Sequence, residues 1–306
     1  MEQRHDRILP RDDGDVPWPK FPSLGVHFRR PGWLEQIPSL EERMRMIKKR
    51  FGGIFVVVCA LALAVSMAAP VAAQTSEVKE KPPMYSYVSN WAIPRAQWGD
   101  MEKADAADQK LMKDAFAAGT IVAYGSDTNM VHTSDGSTHD GWWSAMSIAG
   151  LLNVLEQAYK SGSPTTPVYA SATKHSDAIY VSRYYNWHSG SWRGVYSRVA
   201  VFNLKPDAPN DAVELLSKNL FVPLFEKMLA DGAIHEYEID TEAIHTENPG
   251  TFAVVMVAAN ADGLDKFDAA VTALGKTNPM AGPALGSVVD FSKHRDFLMR
   301  SNVTFK

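Results

Sequence analysis

Hydrophobic and polar positions between residues 84 and 306 run through one order of patterns twice. Residues 84–91 alternate, Tyr85, Tyr87 and Ser89 against Ser86, Val88 and Asn90, which is the period of a strand. Over 95–118 the apolar residues Met101, Ala104, Ala107, Leu111, Met112 and Ala115 recur at helical spacing, and Gly119 is placed to end that helix. Strands over 120–131 and 138–146 follow, then a helix whose face is Ile148, Leu151, Leu152, Leu155 and Tyr159, capped by Ser147. The second round predicts a strand over 198–204, a helix over 209–230 and strands over 233–241 and 251–259. Its last helix carries Leu264, Phe267, Val271 and Leu274 on one face, with Asp262 as cap. Pro223 is expected to kink or split the helix over 209–230, because it has no backbone N–H to donate.

The repetition extends to the letters. Residues 119–133 read GTIVAYGSDTNMVHT and residues 232–246 read GAIHEYEIDTEAIHT, identical at seven of fifteen positions, including Tyr124/Tyr237, Asp127/Asp240 and His132/His245. A second echo, Lys174-His175-Ser176-Asp177 against Lys293-His294-Arg295-Asp296, lies 119 rather than 113 positions apart. The second copy therefore holds about six further residues, expected as a short helix within 279–289. A closing strand after each Lys-His-x-Asp turn makes each copy βαββαβ, the ferredoxin-like plan, with residues 84–197 as the first repeat and 198–306 as the second. Such a sheet carries both helices on one face and leaves the other bare, so a twin sheet is its natural cover. The expected fold class is α+β: two tandem ferredoxin-like repeats packed as an intramolecular dimeric α/β-barrel.

This order of elements resembles the dimeric α/β-barrel superfamily in its fused, tandem form. That group includes antibiotic-biosynthesis monooxygenase-like, stress-responsive barrel, chlorite-dismutase-like and dye-decolourising-peroxidase-like proteins. The resemblance is one of topology over 84–306, without a matching family motif. It implies, for an enzyme, an oxidative reaction on an aromatic or quinone-like molecule, either cofactor-independent or dependent on a metal or haem. Two branches bind haem, for which the proximal ligand here would be one of His132, His139, His175, His188 or His294. The peroxidase branch carries Gly-x-x-Asp-Gly, whereas Gly136-Ser137-Thr138-His139-Asp140-Gly141 has one residue too many before the aspartate.

Candidate chemistry starts at the first hairpin. If Asp135-Gly136 makes a two-residue turn, His132 lies opposite His139, at a Cβ separation of about 4.5–5.5 Å. Such a pair is a candidate for catalysis, or for two metal ligands with a third from Asp127, Asp140 or His188; the alternative is a solvent-side pair near a loop tip. Aromatic residues are distributed unevenly. Residues 84–197 hold six tryptophans and nine tyrosines, whereas 198–306 hold no tryptophan and only Tyr237. Trp and Tyr join an apolar face to a polar handle, so Tyr124, Trp142, Trp143, Trp187, His188 and Trp192 are candidate ligand-binding residues. The run over 183–193 either lines a pocket or straps the two copies together.

Composition bounds the partners. Basic residues at 43–50 precede an apolar run over 54–65 and the small-residue end Val71-Ala72-Ala73. These are the parts of a Sec-type signal peptide over 44–73, cleaved before Gln74, with the product periplasmic or extracellular and not held in the membrane. Residues 1–43 read as a disordered leader or a misassigned start. Cys59 lies inside the apolar run, so the mature chain has no thiol chemistry. From Gln74 onward 20 Lys and Arg face 27 Asp and Glu, a balance that argues against a nucleic-acid partner. The expectation is an exported protein that binds a small organic ligand in the first repeat, with a monooxygenase-like oxidoreductase and a non-enzymatic interaction module as alternatives.

Overall fold

The computed structural model describes residues 78–132, 136–244 and 249–306; the leader over 1–43 and the signal segment over 44–73 lie outside the described residues. The first round of the pattern gives strand β1 (Met84–Trp91), helix α1 (Trp98–Ala117), strands β2 (Ala123–Asn129) and β3 (His139–Ala145), helix α2 (Ile148–Ser161), the one-turn helix α3 (Pro167–Ala170) and strand β4 (His175–Trp187). A two-residue strand β5 (Ser191–Trp192) leads into the second round: β6 (Tyr196–Asn203), α4 (Ala212–Leu216), α5 (Val222–Ala230), β7 (Ile234–Glu242), β8 (Thr251–Ala258), α6 (Ala261–Thr277), α7 (Ala281–Val288) and β9 (Arg295–Phe305).

Local chemistry sets the ends of these elements. Ser147 caps α2 by accepting from the backbone N–H of Gly150 at 3.1 Å. Gly119 and Gly232 take φ of +69° and +68° just past α1 and α5, which side-chain-bearing residues rarely adopt. The cap of α6 is Asn260, whose Oδ1 accepts from Gly263 N–H at 3.1 Å, and not Asp262, which falls in the first turn. Pro223 divides its helix: α4 and α5 are separated by a wider, π-type turn over Ser217–Phe221 that accommodates the missing donor. The added helix expected within 279–289 is α7, twice the length of α3 at the corresponding point of the first round.

The strands close into one barrel in the order β2-β3-β1-β4-β7-β8-β6-β9, with β9 returning to β2 and β5 attached to the end of β9. All pairings are antiparallel. Closure depends on the length of β4 and β9. The first part of β4 pairs with β1 and its last part with β7; β9 likewise serves β6 and then β2. Each seam carries a bulge, at Arg183 between β4 and β7 and at Asn302 between β9 and β2. Beside each bulge a buried serine donates to a buried aspartate, Ser182 to Asp240 and Ser301 to Asp127. The Asp of the repeated Tyr-x-x-Asp-Thr motif thus fixes the seams.

Two faces follow from the strand period. Outward residues such as Tyr87, Tyr124, Trp143, Tyr237 and Phe252 form cores with the helices. Inward residues are unusually polar: Ser86 and Ser144 bond each other at 2.8 Å, and Lys306 donates to Glu236 and Glu238. The same ammonium lies 4.9 Å from the Trp142 ring and 5.1 Å from that of Trp187.

The expected hairpin register is corrected. β2 and β3 pair Asp127 with Asp140 and Thr128 with His139, so His132 is four residues beyond the position opposite His139. The ladder ends where Asn129 N–H donates to Thr138 C=O and the Asn129 amide turns to Ser137, so the connection is far longer than two residues. In the second half Phe252 pairs with Thr241, the equivalent register, rather than with His245, which lies outside the described residues.

Candidate functional site

Between α1, α2 and the outward face of β1, β2 and β3 lies a cavity of about 120 Å³. Helix α1 turns Met101, Asp105, Asp108 and Met112 toward it, a spacing of four, three and four that keeps all of them on one helical face. Tyr124 and Trp143 reach it from β2 and β3, Trp91 and Ser89 from β1, His175 from β4 and Tyr169 from α3. Its walls are mainly aromatic. The Tyr87 and Trp143 rings stack at 4.4 Å, and Trp143 Nε1 is satisfied by Leu151 C=O at 3.2 Å, which leaves only the indole's flat surface to the cavity.

Three polar features interrupt these walls. Burial pushes the Asp105 carboxyl up to about 7, against the opposing pull of Ser126 and Asn302, so it changes charge near neutral pH. Beside it Tyr169 donates to Asp108 Oδ2 at 3.0 Å. His175 is stacked on Trp91 at 3.6 Å, its Nε2 lying 3.0 Å from Ser89 Oγ and 2.9 Å from Asp177 Oδ1. Tyr124 is 2% exposed, stacks on Phe305 at 4.7 Å, and its hydroxyl meets no hydrogen-bond partner among the described residues. A buried hydroxyl without a partner is costly, and Tyr124 is one of the residues that line the cavity.

The second half is built differently at corresponding positions. Register pairs Tyr87 with Trp143 and Arg198 with Met256, so Ser89 and Trp91 correspond to Ala200 and Phe202. His294 stacks on Phe202 at 4.4 Å as His175 does on Trp91. Phe225 and Phe267 stack at 6.0 Å in the helix layer, and Arg198 is held by Asp268 at 3.1 Å and Asp296 at 3.4 Å. What remains is a groove of about 370 Å³, about as open to solvent as the first-half cavity, whose charged groups are paired. The first-half cavity, by contrast, is bordered both by an acid that titrates near neutrality and by a residue whose buried hydroxyl has no partner among the described residues.

Of the residues singled out from sequence, Tyr124, Trp142 and Trp143 border this cavity. The Trp142 ring itself turns into the barrel, where Nε1 donates to Asp127 Oδ2 at 2.9 Å; a Cβ on Gly125 would come within 2.5 Å of it. His132 and His139 flank one indole, their rings 5.3 and 5.5 Å from that of Trp98. Burial pulls His139 down to about 4, with His132 adding to the effect, and His139 Nδ1 is 2.9 Å from Thr138 Oγ1. Trp187 lies over Lys306 in the barrel, His188 Nε2 donates to Leu229 C=O at 3.1 Å, and Trp192 stacks on His235 at 4.6 Å. Within the run over 183–193, β4 ends at Trp187 and β5 pairs with β9. Among the described residues no three His, Cys, Asp or Glu side chains converge as metal ligands. His294, one of the possible haem ligands, has both nitrogens engaged, by Val201 C=O at 3.0 Å and Asp296 at 3.3 Å. Asp105, Asp108 and His175 were not recognised as one site. The signal for the two acids was their helical phase with Met101 and Met112.

No family model matches the sequence, and no curated protein is similar to it. Solved structures are similar in fold. A candidate monooxygenase from Lactobacillus acidophilus NCFM superposes with a TM-score of 0.52 at 13% identity, over 74% of this chain and 97% of that one. One from Fusobacterium nucleatum subsp. nucleatum ATCC 25586 does so with 0.50 at 8% identity, over 73% and 94%. A candidate chlorite dismutase reaches 0.42 at 11% identity, over 72% and 95%. The first two are dimeric α/β-barrels, and at these identities the likeness is one of fold.

Proposed function

We propose that this chain is an exported, tandemly duplicated ferredoxin-like barrel that binds a single-ring phenolic or quinone-like molecule between the helices and sheet of its first half. The observation that carries the reading is the unpartnered, buried hydroxyl of Tyr124 beside a cavity that also holds Asp105. A space of this order suits one aromatic ring, since an enclosed apolar cavity of about 150 Å³ takes benzene. Aromatic walls would stack the ring, while polar groups on the wall, Asp105 first among them, address its oxygen. Duplication is supported by the shared strand order, the equivalent hairpin registers and the matched bulges at the two seams. Export is supported by the segment over 44–73, and a mature protein beginning at Gln74 is its expected product.

A second reading, an oxidoreductase acting on the same ligand, is favoured by Asp105. A carboxyl that titrates near 7 can take the hydroxyl proton of a phenol and leave a more readily oxidised phenolate. Dioxygen or a quinone is the class of oxidant such a step requires. Calorimetry with hydroquinone, catechol and 4-nitrophenol tests the binding reading: one saturable site is expected, abolished by Met112→Trp, which fills the cavity. Absence of saturable binding by all three contradicts it. Product formation from the same compounds, with dioxygen or a benzoquinone supplied as oxidant, separates the enzyme from the binder.

A further inference from the structure

The β9 bulge connects the two halves of the molecule at the first-half cavity. Between β2 and β9 the register passes from Asp127↔Ser301 to Ser126↔Val303, which leaves Asn302 unpaired in the ladder. A bulge re-aims the side chain it carries. Asn302 Nδ2 donates to Asp105 Oδ2 at 3.3 Å, and its Oδ1 accepts from Thr128 Oγ1 at 3.2 Å. The carboxylate selects the amide orientation, since a flipped amide would set its oxygen against an acceptor-only group, whereas the Thr128 hydroxyl can serve either amide atom. At the matching bulge of the other seam stands Arg183, which turns to Glu80 at 3.6 Å and reaches no cavity acid.

We propose that Asn302, supplied by the second half, is a positioning residue for Asp105 in the first half, orienting its carboxyl toward the cavity and favouring its ionised form. The proposal rests on the reading of Asp105 as the acid of the ligand site. Its consequence is that neither half holds a complete site by itself. Groups facing or acting on Asp105 are Asp108 on its own helix, Ser126 and Asp127 on β2, Asp140 on β3, Asn302 on β9, and Tyr169 from α3, which also donates to Asp108. Burial above all, with the carboxylates adding to it, favours the neutral acid, and Ser126 and Asn302 oppose it.

The test follows the Asp105 carboxyl by carbon-detected NMR titration of the ligand-free full chain. Asn302→Leu should raise its midpoint from about 7 by about one pH unit, a tenfold gain in proton affinity. Thr128→Val, which removes the amide's second hydrogen-bond partner and loosens its hold, should move it the same way by less, and Asn302→Ser, which keeps a donor, should restore part of the shift. If Asn302→Leu does not fold, Thr128→Val and Asn302→Ser carry the test alone. An unmoved midpoint in folded variants overturns the proposal, because a merely structural residue would lower stability without altering this titration. A shifted midpoint in a protein that binds none of the phenols upholds the positioning role and removes the ligand reading instead.

Discussion

Tyr124 keeps a buried hydroxyl that has no hydrogen-bond partner among the described residues and only the Arg193 charge acting on it from nearby. An unpartnered buried hydroxyl costs about 1–3 kcal/mol, so Tyr124→Phe should leave the ligand-free protein as stable or about 1 kcal/mol more stable, while phenol affinity falls several-fold. Urea unfolding and calorimetry on the one variant read both effects, and a plain loss of stability would mean that the hydroxyl has a structural partner. Tyr124 and Asp127 were visible as the repeated Tyr-x-x-Asp-Thr, but three residues along a strand put them on opposite faces, one under the helices and one at a seam. Asp105 was less visible, because an acid among Glu102, Lys103 and Asp108 reads as part of a solvated helix. Only its phase with Met101 and Met112 marks it as facing inward.

The seams make elements out of single hydrogen bonds. Ser182→Ala removes the hydroxyl that donates to buried Asp240 and should cost about 1–3 kcal/mol in urea unfolding. Ser301→Ala should cost less, because Asp127 keeps the Trp142 indole at 2.9 Å. Equal losses would show that the two seams are not governed by these bonds. The order of elements followed from the apolar spacing, and the Ser147 cap and the break at Pro223 from residue type. Hairpin register did not follow: Asp135-Gly136 is a turn signal, yet the ladder ends at Asn129 and Thr138, whose partners are set by the whole barrel.

At the scale of the molecule, alternation was readable but its sense was inverted. Glu236, Glu238 and Asp240 alternate with Tyr237 and Ile239 as on a solvent-facing strand, yet closure turns the acids inward, with Lys306 against the two glutamates. Burial pushes Asp240 up to about 8 and raises Asp140. These carboxyls keep protons in the fold that the unfolded chain gives up near pH 4. Their contribution is whole below about pH 4 and is lost as pH rises through about 8, so stability should fall by at least about 2 kcal/mol between pH 5 and pH 8. Burial draws the Lys306 ammonium down, but the two glutamates outweigh it and the net shift is upward, so it stays charged throughout that window. Asp240→Asn should flatten the profile, and stability that rises with pH over this range would refute the assignment.

The claim that the first half carries the ligand site is tested most directly by methyl NMR of the methionines during titration with hydroquinone, since Met101 and Met112 border the first-half cavity and Met256 the second-half groove. Saturable shifts at Met101 and Met112 with Met256 unmoved are the expected result. Shifts confined to Met256, or none that saturate, would contradict it.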